Sequence, residues 1–393
     1  MTAARDVFGH LTVVDLATLA AAPQIAAFFG DFGARVIKVE HPNGDPLRRL
    51  VDAEGAATQW KLVNRNKLCA TLDVGQAAGR AVLDRILART DVLVSALAAE
   101  RLVAWGLDDA TLRPRHPRLV AVNLTTFGTR GPWADRPGSG TLAEAVAGLA
   151  HLTGPADAPP TLSPVGLGDW LGVLQGIIAA LVGLHARDGG GGSFDVAMCD
   201  PVLGLLGQRL SQTARSGVDP GRHGNRFPTM APRNTYRTAD GRWVAITAGT
   251  DDMVARLFGA IGRSELAHDA RFKTNLARIA NVAALDAAIA EWTGARSCDD
   301  VVDALVAARV SAAAIDDLPA VLASEHFRAR DALVTVDDPD LGPFTTTAPL
   351  PLGAGGRIRH LGRGRGADND AVYRQWLGLD AGELADLRAA GVV

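Results

Sequence analysis

Asp169 has the most suggestive surroundings of any side chain suited to covalent or acid–base work. It follows Gly168 and opens an apolar stretch, Trp170–Arg187, whose spacing predicts a helix. Such a position places a carboxylate near the positive end of a helix, where anions are favoured, and an aspartate there is most often simply a cap. With a reference pKa of about 3.9, a carboxylate is already ionised at neutral pH. Other chemistries lack their signatures. The nine histidines are dispersed, and His185 reads as a structural residue within a helix. Cys69, Cys199 and Cys298 lie far apart and are odd in number, so no metal site or disulfide framework follows and a reducing compartment fits. No P-loop, HExxH, GxSxG or EF-hand spacing occurs.

The 393 residues suffice for two domains at roughly 150 residues each. Apolar residues at 48% and charged residues at 21% place the chain among globular proteins. A net charge of −3 provides no basic field for nucleic acid or anionic lipid. Only four lysines occur (Lys38, Lys61, Lys67, Lys273), a bias that reflects base composition rather than function. The longest apolar run, Leu171 to Leu184, is shorter than the ~20 residues of a spanning helix and reads as a buried core helix, so no membrane partner is expected. The opening MTAARDVFGH has no basic leader or cleavage pattern, and a cytoplasmic protein is expected.

Around these residues the pattern alternates strands and helices. Leu11–Leu16 and Arg35–Glu40 are β-rich and flank an amphipathic stretch from about Pro23 to Phe32. The first turn of this βαβ unit reads AAAPQ, without the glycine triplet that admits a pyrophosphate, which excludes an ordinary nicotinamide enzyme. Gln76–Thr90, Leu142–Leu152 and Trp170–Arg187 are helical in pattern, and Asp91–Leu97, Leu119–Thr125 and Phe194–Met198 are strand-like. The fold class expected is α/β, with a Rossmann-like large domain on a parallel sheet and a smaller α+β domain. The Gly- and Pro-dense stretch after Ser216 suggests boundaries: a large domain from 1–215 and 329–393, a linker at 216–226, and a small domain at 227–328.

The whole chain resembles the class III CoA-transferases, which include formyl-CoA:oxalate and carnitine CoA-transferases and, as relatives, the α-methylacyl-CoA racemases. The resemblance rests on VVDLATLAAAP with GARVIKVEHPNGDPLR (13–48), NRNK followed by LD (64–73) and DVLV with WGL (91–107). It continues through PRLVAVNLTTFGTRGPWADRPG (117–138), GLAHLTG (148–154), GLGDWLG (166–172), APRNTYRTADGRWVAI (231–246), RFKTNLARIAN (271–281) and LGLDAGELADLRAAGVV (377–393).

The resemblance implies that Asp169 is a covalent nucleophile. It would form a mixed anhydride with the donor acyl group and then an aspartyl-CoA thioester. Oxyanions would be met by backbone N–H groups at this helix start or in a neighbouring loop. It also implies CoA as a co-substrate, no permanently bound cofactor or metal, acyl-CoA and carboxylic acid as substrates, and an interlocked homodimer with sites between subunits. CoA contacts carry over to Ala20, Ala21, His41, Leu72, Asp73, Val74, Gly75, Ala104 and Trp105, and substrate contacts to Gly140, Ala248, Gly249 and Thr250. Several family cations are replaced. His41 and Ala104 stand where oxalate-active members have arginine, Gly75 stands where relatives read lysine in LDLK, and Pro137 stands at another family lysine. Arg101, Arg136, Lys67 and Arg48 are the candidates to restore the charge. Ser139-Gly140 replaces the tyrosine-acid pair, or the His-Asp of racemases, and Ala248-Gly249-Thr250 replaces a glycine-rich loop. Racemisation needs two acid/base groups, so transfer leads, with an acyl-CoA isomerase or a non-catalytic CoA-binding scaffold as alternatives.

Overall fold

The computed structural model describes residues 6–53, 55 and 57–393. Residues 1–5, which open the stretch read for a leader, lie outside the described residues. The chain forms two compact units, one from residues up to 149, 162–211 and 325–393, the other from 150–161 and 212–324.

The first unit is built on six parallel strands: β1 (Thr12–Asp15), β2 (Arg35–Glu40), β3 (Lys67–Thr71), β4 (Val92–Ser95), β5 (Val120–Thr125) and β6 (Gly192–Ala197). Their order is β3-β2-β1-β4-β5-β6. Strand alternation sends Val13, Val36, Val94 and Val122 to one core and Val14, Ile37 and Leu93 to the other. The first face is covered by the helix Pro23–Asp31, with proline in its first turn, and by the helix Leu167–Ala186. The second face is covered by Ala77–Leu87 and by the C-terminal tail, whose Tyr373 hydroxyl donates to the Thr71 carbonyl at 2.6 Å. A hairpin, β10 (Leu333–Asp338) with β11 (Gly342–Thr347), also belongs to this unit.

The long helix corrects the reading of its own sequence. The expected helix Trp170–Arg187 is present, but it begins three residues earlier, at Leu167, and ends at Ala186, a span of 20 residues. Among the described residues, Leu167–Gly189 is the one segment long and apolar enough, by length and composition, to cross a membrane. One face of it is packed on the sheet. A Cβ at Gly176 would lie 2.3 Å from Ile25 Cδ1 and one at Gly183 2.6 Å from Val120 Cγ1, so glycines set the close approach. Trp170, Leu174, Ile178 and Val182, spaced at helical repeats, remain about half exposed on the other face.

The second unit has its own core around Val244, Ile246, Phe258, Leu285 and Leu305. Its antiparallel sheet runs β7 (Arg233–Arg237), β8 (Trp243–Thr247) and β9 (Ser311–Ala314). Buried Asp286 ties this unit together by accepting from Tyr236, Asn234 and Arg226 at 2.7 to 2.9 Å.

A Cβ at Gly79 would meet the Asp73 carbonyl oxygen at 1.9 Å, a backbone atom that cannot swing away, whereas nothing lies within 4 Å of one at Gly189. Gly79→Ala is therefore expected to lose about 1–3 kcal/mol by overpacking. Gly189→Ala should change little, and urea unfolding of the two variants compares them.

Candidate active site

In a doubly wound sheet, the strand order reverses direction between β1 and β4, and the loops leaving those two strands part to open a crevice at their C-terminal ends. A cavity of about 450 Å³ lies there. Thr18–Ala22 follow β1, Ala96 and Ala98 follow β4, and Thr126 follows β5 to form its walls, while Arg136, Met198 and Asp169 complete it.

Asp169 sits in the first turn of the long helix but does not cap it: the N-cap is Gly166, without a side-chain hydrogen bond. This corrects the capping expectation. The carboxylate turns instead toward another helix, Gly140–Val146, and accepts the Gly140 N–H at 3.1 Å. Three glycines crowd it. A Cβ at Gly140 would lie 2.5 Å from Asp169 Cγ, one at Gly166 2.5 Å from Oδ2, and one at Gly168 2.3 Å from the Gly140 carbonyl oxygen. Any side chain at these positions would displace the carboxylate or the backbone that holds it.

The helix-start amide is taken by Glu144. This residue is 2% exposed, accepts the Gly168 N–H at 3.1 Å, and is itself held by the Ser163 hydroxyl at 2.6 Å. The Gly168 amide, one of those expected to meet an oxyanion, is thus already committed. Partial burial pushes the Asp169 carboxyl above its ordinary value; the Gly140 N–H opposes this and the Glu144 charge adds to it. The result is a carboxylate that is poorly solvated yet faces an open cavity. No sequence motif marks Glu144, because its role depends on two helices meeting.

The structure sorts the remaining expected residues. Ala20, Ala21 and Arg136 line the same cavity as Asp169, and Arg136 lies over the Trp133 ring at 4.8 Å. His41 is exposed and lies 3.8 Å from Asp73, which accepts the Gly75 N–H at 2.9 Å, so His41, Asp73 and Gly75 form one surface loop cluster. Leu72 and Val74, at 2% and 4% exposure, point into the second core. At these two positions it is the backbone that is left to face a ligand. Ala104 and Trp105 end the helix Ala99–Trp105, where Arg101 stands 5.7 Å from the Trp105 ring. They line a separate hollow of about 440 Å³ together with Arg80 and Arg115.

Two phosphate candidates are withdrawn. Lys67 is fully buried, donating to Asp15, the Pro23 carbonyl and Asn64 at 2.7 to 3.1 Å. Burial holds its ammonium down at about 8 against the pull of Asp15. Arg48 is committed to both oxygens of Glu40 and stacks 3.5 Å over Trp60. In the second unit, Ala248 is a core residue, and Thr250 caps the helix Asp251–Ala260 by accepting the Met253 N–H at 3.2 Å. Gly249 is exposed, and a Cβ there would lie 2.8 Å from Met230 Sδ.

A parallel Rossmann-like sheet with a half-buried carboxylate in the crevice at its switch point has the architecture of the α/β proteins that bind ligands at the carboxyl ends of their strands. The family model for CoA-transferase family III matches residues 9–359, and the chain belongs to that family. It is 34% identical over 388 residues to a succinyl-CoA–D-citramalate CoA-transferase of Chloroflexus aurantiacus, covering 97% of this chain and 96% of the relative. It is 33% identical to the beta subunit of a succinyl-CoA–L-malate CoA-transferase of the same organism, over 98% of this chain and 97% of that one. A solved CaiB/BaiF family protein from Brucella suis superposes with a TM-score of 0.78 at 32% identity, covering 93% of this chain and 98% of that one. The chain is therefore a CoA-transferase, with CoA thioesters and acids as its substrates.

The raised carboxyl sets a sign for stability. The folded Asp169 holds its proton to higher pH than the unfolded chain does, whose value is near the usual ~3.9. Its contribution to stability therefore falls as pH rises through that window and stays unfavourable above it. Asp169→Asn should unfold at a higher urea concentration than the natural protein at pH 7, with the gap closing in acid.

Proposed function

We propose that the enzyme carries CoA from an acyl-CoA to a free carboxylic acid through covalent intermediates on Asp169. The observation that supports this reading most is the carboxylate's placement: half-buried, held by one N–H, and open to the switch-point cavity. An Asp169 oxygen attacks the thioester carbonyl, the C–S bond breaks, and CoA leaves as thiolate, giving a mixed anhydride. The thiolate then attacks the aspartyl carbonyl and expels the donor's carboxylate, leaving an aspartyl-CoA thioester. The acceptor carboxylate attacks that thioester and the sequence runs in reverse, returning Asp169 as carboxylate. Arg136 at the cavity wall supplies positive charge for the acids and the oxyanions.

Relatives named for succinyl-CoA point to that donor, and their citramalate and malate acceptors to a small dicarboxylic acid here. The exposed apolar stripe Trp170, Leu174, Ile178 and Val182 supports an interlocked homodimer. The assignment of 1–215 with 329–393 to a CoA-binding domain and 227–328 to a small domain belongs to the same proposal.

Incubation with succinyl-CoA and hydroxylamine, followed by mass spectrometry, should show hydroxamate at Asp169. Asp169→Ala should lose transfer by on the order of 10³-fold or more, as for other covalent nucleophiles. An unmodified Asp169, or a variant with full activity, overturns the mechanism. Because the attacking group must be ionised, kcat should fall with acid along a limb placed above the ordinary carboxylate value of 3.8.

A further inference from the structure

The loop between β1 and the helix Pro23–Asp31 forms one wall of the Asp169 cavity through Thr18–Ala22. Beneath it lie four fully buried charges that the mechanism above does not use. Register explains how they meet: Asp15 on β1 stands opposite Lys38 on β2, and Lys67 on β3 projects from the same face. Asp45 joins from the loop after β2. Lys67 Nζ lies 2.8 Å from Asp15, and Lys38 Nζ lies 3.2 Å from Asp45 and 3.8 Å from Asp15. Two cations and two anions balance with none exposed.

Each member of this cluster also grips the loop backbone. Asp15 accepts the Ala17 N–H at 3.1 Å, Asp45 accepts the Leu19 N–H at 3.2 Å, Lys67 donates to the Pro23 carbonyl at 2.7 Å, and Lys38 donates to the Ala17 carbonyl. Asp45 is itself fixed, since its N–H donates to Glu40 at 2.9 Å and Glu40 is clamped by Arg48. In this loop Leu19 has a φ of +64°, the left-handed region that a leucine avoids, and the residue is part of the cavity lining. A conformation of that kind persists only where its surroundings over-determine it. Buried ion pairs are poor sources of net stability compared with apolar packing, so the number of bonds this cluster directs at one short loop calls for another explanation.

We propose that the Asp15–Lys38–Lys67–Asp45 cluster is a positioning device that holds residues 17–23, with Leu19 left-handed, in the shape that receives the acyl-CoA thioester. This rests on the reading that the Asp169 cavity takes acyl-CoA. The cluster touches no reacting atom. It acts by ordering the wall against which the thioester is laid, so its loss should appear in substrate affinity more than in the chemical step.

The test is a cycle between Asp45 and Leu19. Asp45→Ala should raise KM for succinyl-CoA about tenfold with kcat changed less than threefold, and Asp45→Asn, which keeps an acceptor for the Leu19 N–H, should recover most of the loss. In a Leu19→Gly background, where glycine adopts positive φ freely, Asp45→Ala should raise KM no more than about twofold. Hydrogen exchange reads the loop without substrate: the Ala17 and Leu19 amides should exchange at least tenfold faster in Asp45→Ala. Equal KM effects in the two backgrounds, or a lowered unfolding midpoint with KM and loop exchange unchanged, overturns the proposal. If Asp45→Ala does not fold, Asp45→Ser, whose shorter side chain lacks the carboxylate, carries the same cycle with Leu19→Gly, and additive KM effects then count against the proposal. Faster loop exchange in a protein whose Asp169 is never modified would defeat the covalent mechanism and leave the positioning role standing.

Discussion

The proposed nucleophile must be short of water and yet reachable, and that conflict organises the site around Asp169. Asp169 meets it by losing its hydration to surrounding backbone while receiving a single N–H in return, from Gly140. Side chains around it would either solvate the charge or push it aside, and glycine at 140, 166 and 168 removes them. Its own helix does not relieve the charge either, because the Gly168 amide is spoken for by Glu144. A helix start is ordinarily an anion site. Here its favourable field is shared with the Glu144 carboxyl, and burial keeps the Asp169 carboxyl above its ordinary value.

The sheet supplies the place for this arrangement. Reversal of strand order between β1 and β4 opens a crevice without distorting either strand, and the three loops that edge it come from neighbouring strands of a rigid sheet. The same geometry explains why the buried lysines lie where they do. Lys38 and Lys67 reach the loop that follows β1 from below, donating to the Ala17 and Pro23 carbonyls.

The positive charges are distributed differently from the pattern the family resemblance implies. Arg136 alone among the phosphate candidates faces the Asp169 cavity, Arg101 stands with Trp105 beside a second hollow, and Lys67 and Arg48 are absorbed by internal carboxylates. An arginine or lysine read from sequence is a charge without an address. Whether it meets a ligand or a buried aspartate depends on which residues arrive from elsewhere in the chain.

What the sequence determined by itself was whatever is periodic or local. Arg35–Glu40 was legible to the residue as a strand, whereas the neighbours of Asp169 suggested only a cap and its candidate role came from the family resemblance of the whole chain. The parallel α/β class followed from alternating strand and helix patterns, since those patterns record which face of each element must be buried. The long helix was legible as Trp170–Arg187 and missed only its first turn, Leu167–Asp169, because hydrophobic spacing marks burial rather than backbone hydrogen bonding. Only the tertiary structure decided the rest. Leu72, Val74 and Ala248 proved to be core residues, and Glu144 and Asp45 emerged as parts of the site through contacts with Gly168 and Leu19, 24 and 26 positions away. Such contacts leave no period in the sequence. They exist because close packing brings distant elements within the few ångströms over which a hydrogen bond acts, and that distance is fixed only when the whole unit has folded.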